Sequence, residues 1–159
     1  MQLPVLLLLL FTGTFCSGKK DNRSSAGSNK VIPAPDTSRY AIIPFDEKQT
    51  YLFRNARAAS LSAAEVETIE VLLGEVVLQY NKGAKDQYQI KPLERYKRQL
   101  VPVMNQRGEK EVWVNCFCGS WDNWQQQLVM VDGGGSCFFN VKMNLTEKKT
   151  YDLMVNGPI

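Results

Sequence analysis

The alternation of apolar and polar residues is clearest in the last fifty residues of the chain. In Glu111–Cys118, Val112, Val114, Cys116 and Cys118 fall on one side, and Trp113, Asn115 and Phe117 on the other. A period of two is the signature of a β-strand. Leu128–Val131, Cys137–Leu145 and Thr150–Val155 repeat the pattern, with turn residues between them. Four successive strands are therefore predicted. Cys137, Phe139, Val141, Met143 and Leu145 form the core face of the third, and Tyr151, Leu153 and Val155 that of the last. Asn105-Gln-Arg-Gly108 reads as a hairpin turn with Gly108 free to take positive φ, and Asp132-Gly-Gly-Gly-Ser136 as a second turn. A phosphate loop would need a helix to follow its glycines, and a strand follows here.

Upstream the period changes. Val66, Ile69, Leu72, Leu73, Val76, Val77 and Tyr80 recur at spacings of three and four, which predicts an amphipathic helix over Ser62–Asn81. Ser62-Ala-Ala-Glu65 has the form of a capping box, and Gly83 is a C-terminal stop. Gly74 within the helix suggests a close approach to the sheet. Glu65, Glu67, Glu70 and Glu75 read as a solvated face. Arg39–Phe45 is a short apolar run that Pro44 restricts to an edge strand or a covering segment, and Pro102 suggests an edge position for Leu93–Met104. The predicted domain is α+β, covers residues 39–159, and packs one long helix on a four- to five-stranded antiparallel meander.

The N-terminal residues have a different pattern. Leu3–Phe11 is almost continuously apolar, too short for a transmembrane span and suited to a signal-peptide core. Residues 1–16 are accordingly predicted to be an export signal, with Cys16 at its junction in the position of a lipid-attachment cysteine. The alternative is an ordinary signal peptide and a secreted product. Ser17–Lys30 contains no large apolar residue and reads as a flexible tether, and Val31-Ile-Pro-Ala-Pro35 as an extended lead-in, giving a linker over residues 17–38. The predicted location is the cell envelope, membrane-anchored through lipid on Cys16.

Charge and composition narrow the chemistry. Four of the 19 basic residues and one of the 16 acidic residues lie between positions 19 and 30, leaving 15 of each from Val31 onward. A neutral domain lacks the electrostatic footprint of a nucleic-acid binder. The chain has no histidine, which removes Ser-His and Cys-His catalysis and histidine metal ligation. Neither a catalytic constellation, a metal set nor a cofactor motif is predicted. With Leu128–Val131 counted as a strand of the meander, Cys118 and Cys137 lie at opposite ends of the sheet, about 20 Å apart at ~3.3 Å per residue. A disulfide needs Cα atoms within about 7 Å, so Cys116, Cys118 and Cys137 are expected to be buried free thiols. Asn22-Arg-Ser24 and Asn144-Leu-Thr146 match the glycosylation sequon.

The other face of the predicted sheet offers candidate binding residues. Trp113, Phe117 and Phe138 share it with Asn115, Asn140 and Lys142, and Trp121 and Trp124 lie in the adjoining loop. Aromatic rings among amides suit a protein, peptide or glycan partner. The competing expectation is that Tyr40, Ile42, Ile43 and Phe45 fold over this face.

Leu61-Ser-Ala-Ala-Glu-Val66, Gly108–Cys118 and Gly135–Leu145 resemble stretches of small uncharacterised lipoproteins of Bacteroidetes-type bacteria. That resemblance implies an envelope location and no particular activity. A helix followed by an antiparallel sheet is also similar to cystatin and NTF2-like architectures, which imply inhibition of a protease or other hydrolase in the first case and small-molecule binding or enzymatic activity in the second. Gln99-Leu-Val-Pro-Val103 departs from the cystatin Gln-x-Val-x-Gly hairpin, because it lacks the glycine and lies within a strand. The expectation from the sequence is a non-enzymatic, membrane-tethered envelope domain that binds a partner through its sheet face or loops.

Overall fold

The computed structural model describes residues 38–157. The predicted signal with Cys16, the tether up to residue 37 and the Asn22 sequon lie outside them. The described residues all belong to one compact unit. Its elements are β1 (Tyr40–Ile42), β2 (Arg57–Ala58), α1 (Ala63–Gly83), β3 (Tyr96–Met104), β4 (Lys110–Cys118), β5 (Phe138–Asn144) and β6 (Lys149–Val155).

The helix begins as its sequence requires. Glu65 N–H donates to Ser62 Oγ at 3.3 Å, and Ser62 N–H donates to Glu65 Oε2 at 2.8 Å, so two backbone donors that the first turn would leave unpaired are satisfied. Val66, Ile69, Leu72, Leu73 and Val77 are buried, each contributing about 1.5–3 kcal/mol on removal from water. At the far end, Asn81 Nδ2 donates to Ile90 O and Asn81 Oδ1 accepts from Ile90 N–H, both at 2.9 Å, which fixes the chain's return toward the sheet. Gly74 faces open space rather than the sheet, so the expected close approach is not there.

The sheet runs β1-β3-β4-β5-β6, with β2 also on β3. β3 through β6 form an antiparallel meander. β1, however, pairs parallel with β3, so the sheet is mixed and the purely antiparallel expectation is corrected. The cause is topological: α1 lies in the connection from β1 to β3 and returns the chain to the same end of the sheet. β3 is an interior strand, not an edge. Pro102 is tolerated because its missing N–H falls between two short neighbours, β1 pairing as far as Leu100 and β2 from Val103.

Leu128–Val131 is not a strand, and this has two consequences. β4 and β5 become direct neighbours with Phe117 opposite Phe138, so the Gly-rich stretch turns into β5 without closing a hairpin with residues 128–131. Cys118 and Cys137, one step beyond that pair, are joined by a disulfide with Cα atoms 5.2 Å apart. The expectation of three free thiols is therefore wrong: it placed an extra strand between the two cysteines. Among the described residues Cys116 alone is free, and it is buried.

β6 corrects another register. Asn140 is opposite Met154, but Lys142 is opposite Tyr151, so β6 carries one extra residue there. Asp152 sits at the bulge with φ 51°. The bulge turns Tyr151 to the face it was not expected to occupy, while Leu153 and Val155 stay on the helix side.

Both faces are covered. One core fills the space beneath α1, including Tyr96, Leu100, Val114, Phe139 and Val141. The second lies on the opposite face, where Ile43, Phe45, Leu52 and Phe53 from the N-terminal segment meet Val101, Val103, Trp113 and Phe117. Arg98 is a buried charge on the helix side. Its Nη1 and Nη2 donate to the carbonyls of Tyr96 and Leu93 at 3.1 and 3.2 Å. Its Nε lies 2.9 Å from Glu70 Oε1, without the alignment of a hydrogen bond. Glu70 thus belongs to the helix–sheet interface rather than to a fully solvated face. Burial raises its pKa from the ordinary value, against the opposing effect of Arg98 and Arg39.

Candidate functional site

The face expected to bind a partner is divided between core and surface. Trp113 is 4% exposed and Phe117 0%, and Trp124 is buried with them. Part of the cover is the N-terminal segment, as the competing expectation had it through Ile43 and Phe45; Ile42 points to solvent. The rest was not foreseen: the loop between β4 and β5 lies over the sheet and brings Trp124, Leu128, Val129 and Val131 onto it.

The amides on this face explain how the loop is held. Gln99 Nε2 donates to the carbonyls of Trp124 and Gln127 at 2.5 and 2.6 Å, and Gln99 Oε1 accepts from Val129 N–H at 2.9 Å. Asn115 Nδ2 donates to Gln99 Oε1 at 3.1 Å and to Val129 O at 2.8 Å. Asn156 Nδ2 donates to the carbonyls of Val131 and Gly133 at 2.6 and 2.9 Å. The buried amides of Gln99 and Asn115 and the half-buried amide of Asn156 thereby satisfy the backbone of an irregular segment that pairs with no strand. The aromatic-and-amide surface does receive a peptide, and that peptide is the chain's own loop.

What remains open is a strip at the β5–β6 side of the same face. Trp121, 41% exposed, meets Phe138 edge to face at 6.0 Å between ring centroids. Phe138 and Asn140 line a small surface depression together with Met130, which is 59% exposed. Across the strand pair from Asn140 stands Met154, 63% exposed. Asn140 Oδ1 accepts from Trp113 Nε1 at 3.1 Å, which fixes the amide so that its Nδ2 points away from that bond as a free donor. The strip continues to Tyr151, opposite Lys142. The Tyr151 pKa is raised by burial first, then by the Glu111 charge and its hydrogen bond to Glu111, so the phenol stays protonated across the physiological range.

Of the expected binding residues, then, Trp121, Phe138 and Asn140 come together on an accessible surface, whereas Trp113, Phe117 and Trp124 support it from below. Sequence reasoning missed Met130 and Met154. Met130 was read as part of a strand; Met154 lies on the outer face that the alternation with Leu153 and Val155 already implies, a signal that could have found it.

Two carboxylates elsewhere, Glu65 and Glu109, are bound to internal partners. Glu65 closes the capping box and takes Lys110 Nζ at 2.6 Å. Burial pushes its pKa up, but the hydrogen bonds from Lys110 and Ser62 outweigh this and hold it below the usual carboxylate range. Glu109 Oε2 accepts from Asn105, Asn144 and Arg107. That bond holds the Asn144 amide inside the fold, with 4% of the residue exposed, where a glycan could not be accommodated. Among the described residues there is no cluster of His, Cys, Asp or Glu that could hold a metal ion.

Comparison of the chain with protein-family models, with curated proteins and with solved structures finds no match.

Proposed function

We propose that the chain is an exported, membrane-tethered envelope domain that binds a protein partner through the strip formed by Trp121, Met130, Phe138, Asn140 and Met154. The observation that carries this reading is the strip itself. Three exposed apolar side chains, Trp121, Met130 and Met154, stand with the half-buried Phe138 ring around an amide with a free donor, on a base fixed by Trp113 and the Gln99–Asn115 hydrogen bonds. Aromatic anchors combined with adaptable methionines suit protein surfaces. Export is supported by two independent features. One is the apolar leader ending at Cys16. The other is the Cys118–Cys137 bond, a pairing that oxidising compartments maintain and the cytosol does not. One helix followed by the β3–β6 meander also supports a relation in architecture to cystatin and NTF2-like domains.

The test places a photoreactive phenylalanine analogue at position 130 or 154 of the full chain in its own cells, and at position 78 on the outer helix face as control. The expected result is a discrete adduct from 130 and 154 and none from 78. Trp121→Ala should reduce the adduct, since losing an aromatic anchor costs about 2 kcal/mol, roughly thirtyfold in affinity. Equal labelling from position 78, or no adduct from either strip position, would sink the reading.

A further inference from the structure

On the helix side of the disulfide, away from the strip, a cleft of about 340 Å3 opens between the Gln87–Arg95 connection and the Gly134–Ser136 turn. That lies within the roughly 300–1,000 Å3 typical of small-ligand clefts. Its floor is the Cys118–Cys137 bond and the ring of Tyr96. The Tyr96 hydroxyl ties the two walls together, accepting from Lys91 N–H at 3.0 Å and donating to Ser136 O at 2.8 Å. Burial raises the Tyr96 pKa, so this donor is not lost near neutral pH. The cleft therefore has fixed walls.

Its lining has a single sign of charge. Lys91 and Arg95 reach it, and no carboxylate does. The side chains of Gln87, Lys91, Arg95 and Ser136 have no hydrogen-bond or ion-pair partner among the described residues. Lys110, Lys142 and Arg98 are each neutralised by a carboxylate, Glu65, Asp152 and Glu70, whereas Lys91 and Arg95 meet at this cleft without one. Gly135 presents no side chain, and a Cβ there would meet nothing within 4 Å, leaving backbone open to a close approach.

We propose that this cleft binds a small ligand carrying one carboxylate or phosphate group, with Lys91 and Arg95 holding the anion and Gln87 and Ser136 hydrogen-bonding to its polar body. Charge-assisted bonds from two cations are the stronger class of hydrogen bond, and the rigid floor limits the ordering that binding must impose. The site is separate from the strip, so its failure would leave the partner-binding reading intact.

Amide NMR titration of the full chain tests this, with glucose 6-phosphate and glucuronate as probes and glucose as the neutral control. The two anions distinguish a phosphate from a carboxylate preference. The expected result is saturable shifts confined to Gln87–Tyr96 and Gly134–Cys137, with a dissociation constant of about 1 mM or tighter for at least one anion and no response to glucose. Lys91→Ala with Arg95→Ala should weaken binding at least about tenfold, and Gln87→Glu should do so by placing a like charge beside the anion. Both changes are at exposed positions, and the unperturbed remainder of the spectrum reports that the fold is retained. Shifts spread evenly over Lys82, Lys149 and other surface lysines, shifts that survive the double substitution, or no saturable response to either anion would each overturn the proposal.

Discussion

At the scale of single residues, the two cysteines of the Cys118–Cys137 pair have the largest consequence. Their bond closes a segment of 19 residues in sequence separation, which is the loop that covers Trp113 and Phe117. Restricting such a loop in the unfolded chain stabilises a domain by about 3 kcal/mol. Replacing both Cys118 and Cys137 by serine should therefore lower the unfolding free energy in urea by about that amount. It should also increase amide exchange across Trp121–Val131 before the rest of the domain is affected. A loss under about 1 kcal/mol, with the loop equally protected, would mean that the Gln99 and Asn115 bonds hold it alone. Cys116 is a different kind of thiol. Complete burial raises its pKa far above the normal thiol range, so it offers no thiolate to attack its neighbour two residues away, and the 118–137 pairing is kept from rearranging.

At the scale of elements, β6 shows how an exposed edge is made safe. Seven residues of an open strand would invite pairing with another chain. The bulge at Asp152 interrupts that edge, and Lys142 Nζ meets Asp152 Oδ2 at 3.3 Å. The left-handed backbone at φ 51° is open to Asp, Asn or Gly and strained for a β-branched residue. Asp152→Gly should stay within about 0.5 kcal/mol of the parent, because an exposed ion pair contributes little. Asp152→Val should lose about 1–2 kcal/mol in urea unfolding and broaden Met154, whose placement on the strip depends on the bulge. If the valine variant unfolds at the parent's midpoint, the bulge is not a constraint. The helix and β3–β6 were legible from the sequence because period and capping chemistry are local: seven apolar positions from Val66 to Tyr80, and Ser62 with Glu65, settle the helix without any tertiary information. Leu128–Val131 misled for a physical reason. An extended segment lying on a sheet buries Val129 and exposes Met130, producing the same alternation as a strand within the sheet. The disulfide was lost through that one reading, and with it the explanation of the amides. Asn115 and Asn140 were correctly placed beside aromatics, but no sequence pattern distinguishes an amide that holds a ligand from one that holds the chain's own loop.

At the scale of the molecule, the sequence has two parts of different composition. Residues 38–157 form a sheet with a core on each face, and the sequence from Val31 onward is balanced in charge, with its surplus of cations concentrated at Lys19, Lys20, Arg23 and Lys30. A balanced domain has no electrostatic reason of its own to stay at an anionic membrane, so in the proposed reading its location depends on the leader. Two acyl chains on Cys16, at about 0.8 kcal/mol for each buried methylene, would hold it there, whereas four linker cations alone would be screened and reversible. The intact mass of the protein recovered from its native membranes should accordingly correspond to a chain beginning at Cys16 with acyl-sized additions and one internal disulfide. Cys16→Ser should move the protein to the soluble fraction while leaving the near-ultraviolet spectrum of Trp113 and Trp124 unchanged, because both rings are packed by Phe45, Phe53, Phe117 and Val129 of the described domain. A soluble, unmodified chain beginning after Gly18 would overturn the anchor and make the protein a secreted binder. In that case the strip and the cationic cleft would have to find their partners by diffusion in three dimensions rather than from a fixed surface.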